Sequence, residues 1–352
     1  RFPRQKLKLL IKNSSELMSR QADLLEAYHN ILYVINNAPL NSYPKFGKND
    51  VKKIPSDKAE KIIGNVVGHR LASVPADKHP HVELVLGYPG SGKTLVEEDI
   101  LARYPGTILK IDYDDFRRFD SRMVEKSKEN PLVADYFGQI PGAIKDRLMM
   151  GAAANGQSVL ISAPALDIQS SPENSLKALF LNKGYRLNVV YINAGEELCF
   201  LSNFTRHFKA RANNLNNPDG NFDIPRMVRP EVHRAISAGT RQNINEIVGM
   251  IGRGENVSLK MVDRDNREIP FTNIEAVPHI ARRRERSPLN PAEIDRLVNE
   301  LSIISDAIQK VGINGREKKI LADFMQGALY SRLIERNIPS TMPMFLDNHQ
   351  GR

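Results

Sequence analysis

One short run has residue types and spacing that could hold a phosphate: GYPGSGKT, Gly87 to Thr94. Gly87-x-x-x-x-Gly92-Lys93-Thr94 matches the P-loop pattern in full. Gly87, Gly90 and Gly92 let backbone N–H groups turn inward around phosphate oxygens, with Pro89 and Ser91 completing the loop. A helix that follows adds its positive N-terminal end. Lys93 supplies charge to the β- and γ-phosphates, and the Thr94 hydroxyl is placed to hold Mg²⁺. ATP with Mg²⁺ is the expected cofactor pair.

The loop selects a nucleotide and leaves the reaction open. A Walker B strand would end in an acid, but SVLISA (158–163) ends in Ser162 and Ala163. No NKxD-type base-reading signature is present either. Both observations favour a small kinase. KIDYDDFRRFD (110–120) then supplies Asp112, Asp114, Asp115 and Asp120. A carboxylate at the end of a strand beside the P-loop would face the γ-phosphate and could accept a proton from an attacking hydroxyl.

The elements that must position these groups alternate. VELVL (82–86), TILKID (107–112), SVLISA (158–163) and RLNVVYI (186–192) are short apolar runs. Helical patterns near 93–103, 132–154, 172–183, 195–211 and 230–251 separate or follow them. This rhythm predicts an α/β fold with a mostly parallel sheet flanked by helices. VSLKMV, DRDN and REIPF (257–271) suggest a hairpin at the sheet edge, and NNLNNPDGNFDIP (213–225) a polar lid loop. Helical additions are expected at both ends: 14–37 and 57–73 before the core, about 292–311 and 316–336 after it. The apolar face of the first carries Leu17, Leu24, Leu25, Ile31 and Val34. ARRRERSPLNP (281–291) reads as a charged, solvated break, and the final IPSTMPMFLDNHQGR as a loosely held end. The domains implied are a helical region 1–80, a kinase core 81–275 and a helical extension 276–352.

The 352 residues are 41% hydrophobic and 26% charged, ordinary for a globular protein. No run of 18 apolar residues suggests a membrane span, and the basic RFPRQKLKLLIK lacks the apolar region of a Sec-type signal. The single Cys199, on an apolar helical face, makes no internal disulfide or cysteine-based zinc site, which fits a reducing cytoplasm. A net charge of +9 favours anionic partners. Nucleic acid is among them, but without Trp and with 7% aromatics there is no obvious base-stacking platform. His207 and His233 are expected on helix surfaces, since nothing completes a metal spacing.

GYPGSGKT followed by IDYDDFR resembles the zeta-toxin family and the kinase domain of phage polynucleotide kinase, over about residues 82–250. The resemblance implies that Asp114 is the base and that Arg117 takes the basic position behind it. It gives Arg206 or Arg211 the role of an arginine near the transferred phosphate. RMVRPEVH (226–233) resembles a further family stretch, with Arg226 as a second phosphate-binding arginine. Asp120 is a second candidate for acceptor contact. Zeta toxins carry a substrate-binding Glu where this chain has Ser162, and polynucleotide kinase an Asp where it has Ala163. That departure weighs against both UDP-N-acetylglucosamine and a polynucleotide 5′-hydroxyl as acceptor. The helical additions make the chain similar to the zeta-toxin-like avirulence effectors of plant-pathogenic xanthomonads. This implies the 3′-hydroxyl of the NAD adenosine ribose as acceptor, a toxin or effector role, and a small antitoxin-like or chaperone partner. It also implies delivery into a host cell by a specialised secretion system. The rival from another class is a non-catalytic, nucleotide-gated binding protein.

Overall fold

The computed structural model describes residues 4–46, 50–51, 54–217 and 222–334. The chain opens with α1 (Arg4–Asn37) and a short strand β1 (Leu40–Asn41). Then follow α2 (Ser56–Ala72), β2 (His81–Leu86), α3 (Lys93–Arg103), β3 (Leu109–Asp112) and α4 (Ser121–Glu129). Next come α5 (Gln139–Asn155), β4 (Val159–Ala163), α6 (Leu176–Leu179), β5 (Arg186–Ile192) and α7 (Glu196–Asn216). The remainder is α8 (Pro230–Gly252), β6 (Val257–Val262), α9 (Val277–Arg286), α10 (Pro291–Val311), β7 (Ile313–Asn314) and α11 (Gly315–Phe324). Two compact units result: Tyr43–Glu285, and Arg1–Ser42 together with Arg286–Arg352.

The larger unit is built on a five-stranded parallel sheet in the order β3-β4-β2-β5-β6. Its central strand β2 is buried throughout, His81 and Glu83 included, as expected of a parallel strand covered on both faces. Val82, Leu84 and Leu86 enter one core with residues of α2, α5 and α8, such as Ile63, Ile144 and Ile247. Val85 points the other way, into a second core with Val96 and Ile100 of α3. The two faces are therefore both covered. β4 lies between β2 and β3, so the strand ending in Asp112 is one removed from the P-loop strand rather than beside it.

Several boundaries differ from the sequence expectation for local reasons. α5 starts at Gln139, because a 3₁₀ turn at Ala134–Tyr136 and Gly138 precede it. The helix expected at 172–183 shrinks to α6 and a 3₁₀ turn ending at Gly184, φ +87°. The edge hairpin forms only in its shortest version, closed by the Asp263 N–H to Arg267 carbonyl and Ile269 N–H to Met261 carbonyl bonds, each 2.9 Å. β6 pairs in parallel with β5, the chain reverses at Asn266 (φ 59°), and a single Val262–Glu268 bridge follows. Pro270 has no N–H to extend that ladder. ARRRER is not a linker but the body of α9, as its good helix formers allow. α7 runs to Asn216 through the start of the polar stretch read as a lid; residues 218–221 of that stretch lie outside the described residues.

In the smaller unit α1 packs along α10. Leu24, Tyr28, Ile31, Val34 and Ile35 are buried at helical spacing, while Leu17, expected on that face, is 38% exposed. Capping boxes open both following helices, Asn290 with Glu293 and Asn314 with Glu317. Helix α11 continues as a π-helical stretch, Met325–Ile334; the final tail lies outside the described residues.

Candidate active site

The P-loop joins β2 to α3 and its glycines answer close contacts. A Cβ on Gly87 would lie 2.4 Å from the Ser91 hydroxyl. Gly90 has φ +86°, and a Cβ there would lie 2.1 Å from the Cys199 carbonyl oxygen, which is backbone and cannot step aside. Gly92 has φ +88° and caps the start of α3. Lys93 Nζ donates to the carbonyls of Gly87 and Tyr88, each at 3.2 Å, so its ammonium curls back over the loop. Burial lowers its pKa, and the nearby Arg206 charge lowers it further. The Ser91 hydroxyl is fully buried and has no hydrogen-bond partner among the described residues, and the Thr94 side chain is exposed at the cleft.

Beneath the loop, Tyr88 donates to Glu285 at 2.7 Å. Arg241 of α8 donates to Glu196, Glu285 and the Tyr88 hydroxyl at 3.0, 3.2 and 3.3 Å. This polar cluster ties the loop to α7, α8 and α9. Asn203 adds a bond from its side-chain amide to the Pro89 carbonyl at 3.1 Å.

The acidic run leaves β3 as a 3₁₀ turn, Tyr113–Phe119, pinned by the fully buried Phe116. The Asp112 carboxylate caps this turn by accepting from the Asp114 N–H at 2.9 Å. Asp114 meets three arginines. Arg117 Nε donates to it at 2.9 Å, Arg206 stands 3.9 Å away, and Arg226 contacts it directly. Burial pushes the Asp114 carboxyl up, but Arg226, Arg117 and Arg206 outweigh it and hold it well below the usual carboxylate range. Asp112 goes the other way: burial and the Asp114 charge raise it to about 6.

A cleft of about 590 Å³ brings these groups together. Pro89, Gly90, Gly92, Lys93 and Thr94 line it with Asp112, Asp114, Arg117, Arg206 and Arg226. Its far wall is apolar: Ala163, Pro164, Ala165 and Leu166 after β4 face Val228, Val232 and Ile236. Two expected residues stand elsewhere. Asp120 is buried and paired with Arg122 through bonds of 2.8 and 2.6 Å. Arg211 is buried between the Phe208 and Tyr43 rings, 5.5 and 5.6 Å from their centroids. Neither is among the residues lining this cleft. His207 and His233 are buried rather than on helix surfaces, because α7 and α8 face one another there; they pack on Phe208 and Phe200 at 5.1 and 4.8 Å. Burial lowers His233 to about 4.

Sequence reasoning missed three cleft residues. Glu97, one turn after Lys93, is buried; it accepts from Ser162 at 2.5 Å and pairs with Lys110 at 3.0 Å. An acid absent from the end of β4 thus arrives from α3, and its signal is the i, i+4 spacing from Lys93. Lys145 comes from α5 and Arg264 from the turn after β6. No local motif marks either.

Sheet order, P-loop and helix-flanked cleft define a P-loop kinase fold. The chain belongs to the zeta toxin family, whose profile matches residues 65–272, more than half of the sequence. Among solved structures it is similar to one from the PezAT chromosomal toxin–antitoxin system of Streptococcus pneumoniae. That match has TM-score 0.55 and 16% identity, over 74% of this chain and 100% of the other. The AvrRxo1-ORF1:-ORF2 structure with ATP gives TM-score 0.51 and 13% identity, over 81% of this chain and 96% of the other. At such identities the likeness is one of fold. A search of curated proteins finds no match.

Proposed function

We propose that the chain is an ATP-dependent kinase that transfers the γ-phosphoryl group to a hydroxyl of a nucleotide-type acceptor. The observation that carries this is a single cleft holding Lys93 of the P-loop and Asp114 ringed by Arg117, Arg206 and Arg226. Asp114 orients the acceptor hydroxyl, and takes its proton once Arg206 and Arg226 turn from the carboxylate to the phosphoryl group. The hydroxyl oxygen bonds to the γ-phosphorus as the bond to the β-bridging oxygen breaks, and ADP leaves. Lys93, Arg206 and Arg226 neutralise the moving group, and catalysis is mostly positioning and electrostatics. Arginine suits this because its charge is permanent and its fork binds oxygen pairs. Arg117 orients Asp114. Ser91, a buried hydroxyl without a partner among the described residues, fits a phosphate oxygen in the loop. Thr94, with the nucleotide's own phosphates, would hold Mg²⁺, which adds charge neutralisation.

The preferred acceptor is the 3′-hydroxyl of the NAD adenosine ribose. Its support is the fold likeness to the AvrRxo1 complex and the apolar Ala163–Leu166 wall where other zeta toxins present an acid. UDP-N-acetylglucosamine and a polynucleotide 5′-hydroxyl are the alternatives. A toxin or effector role with a small antitoxin-like partner is supported by relatives described as a toxin–antitoxin system and an ORF1:ORF2 complex. Incubation with ATP, Mg²⁺ and each acceptor, read by mass spectrometry, tests the reading. NAD gaining one phosphate is the expected result. Phosphate on another acceptor keeps the kinase and discards NAD. Unchanged acceptors with tightly bound ATP would favour the nucleotide-gated binding protein.

A further inference from the structure

Arg264 lies just past the carboxyl end of the edge strand β6, in the turn of the short hairpin closed by the Val262–Glu268 bridge. It is 174 residues from the P-loop glycine it touches. One of its terminal nitrogens donates to the Gly90 carbonyl at 3.1 Å and to the Ser202 hydroxyl of α7 at 2.8 Å. Ser202 in turn donates to the Leu198 carbonyl at 3.0 Å, which fixes its oxygen to receive the arginine. The Arg264 backbone carbonyl also lies 3.6 Å from where a Gly92 Cβ would be. The residue therefore flanks both Gly90 and Gly92, and it lines the cleft. A guanidinium cannot shed its charge here, so the cation is permanent.

The cations of the cleft then divide by position. Arg206 and Arg226 stand against Asp114, where the acceptor and the moving phosphoryl group meet. Arg264 stands against the loop itself, where P-loop backbones hold the α- and β-phosphates. Resting on the nucleotide reading of that loop, we propose that Arg264 is a nucleotide-positioning residue. It braces Gly90 against α7 and places a fixed positive charge beside the diphosphate that ADP retains.

The division gives a test that needs no acceptor. ADP and ATP binding to the full chain is measured by titration calorimetry, in wild type, Arg264→Ala, Arg264→Met and Arg226→Ala. Loss of Arg264 should weaken ADP and ATP alike, by about tenfold, as expected for a charge-assisted contact. Arg226→Ala should weaken ATP and leave ADP within about twofold. Arg264→Met keeps the packing of the stem, so it carries the measurement if Arg264→Ala lowers the melting temperature. ADP affinity in Arg264→Met within about twofold of wild type overturns this proposal alone. A wild-type chain that binds neither nucleotide overturns the nucleotide reading and this proposal with it.

Discussion

Asp112 and Asp114 are two residues apart, yet their surroundings push them in opposite directions. Burial acts on both, but Asp114 meets three guanidiniums and is held low, whereas Asp112 meets the Asp114 charge and rises to about 6. An acid raised on folding stabilises the native state below its unfolded pKa, and that contribution is lost as pH climbs through the folded value. Asp112→Asn should therefore raise the unfolding free energy at pH 7.5 by an amount on the order of 1–3 kcal/mol, and the melting temperature with it. The gain should shrink as pH falls toward 5, because protonated Asp112 already resembles Asn. Thermal melts across that range check it, and a lower melting temperature at pH 7.5 would contradict it. Asp114, depressed instead, keeps its stabilising contribution over the same range. The P-loop was legible in the sequence because it is one contiguous run with a chemical reason for its order, whereas Asp114 stood out from four aspartates only through the family resemblance; both line the cleft. Glu97, Lys145 and Arg264 were not legible, since only the folded sheet brings α3, α5 and the turn after β6 to one cleft. The buried histidines escaped for a related reason. Helical spacing places His207 and His233 on faces without saying what covers those faces.

Among the elements, strands and long helices were read about equally well, 93–103 being α3 residue for residue, and short helices and turns were read worst. RLNVVYI is β5 residue for residue, and β2 and β4 differ by one residue at most. Buried parallel strands leave continuous apolar runs that end abruptly. Their order in the sheet leaves no such mark, which is how β4 came to separate β3 from β2. The P-loop's hold on α7 was equally hidden. The Cys199 carbonyl occupies the space a side chain on Gly90 would need, at a backbone angle that already favours glycine. Gly90→Ala should shift the loop off α7 and weaken ATP binding by at least about tenfold, with a strain cost of roughly 1–3 kcal/mol. Titration calorimetry and a thermal melt would show it. A Gly90→Ala protein that binds ATP like wild type would mean the loop does not need this contact.

At the scale of the whole molecule, each residue assigned to nucleotide or phosphoryl transfer lies within Tyr43–Glu285. That unit has its own sheet with both faces covered, so a fragment spanning it should bind ATP within about threefold of the full chain. Loss of binding in a folded fragment would show that the α1–α10 unit contributes to the site. Among the described residues no helix is long and apolar enough to cross a membrane. The +9 charge is a property of the full sequence and identifies no partner by itself.

The most direct test joins binding and turnover in one variant, Asp114→Asn. Removing this charge frees Arg206 and Arg226 for the nucleotide, so ATP should bind no more weakly than to wild type. Acceptor-dependent release of ADP should fall by about 10²–10⁴, the range general-base catalysis contributes. Turnover within about tenfold of wild type, with ATP still bound, would contradict the assignment of Asp114 to the acceptor hydroxyl.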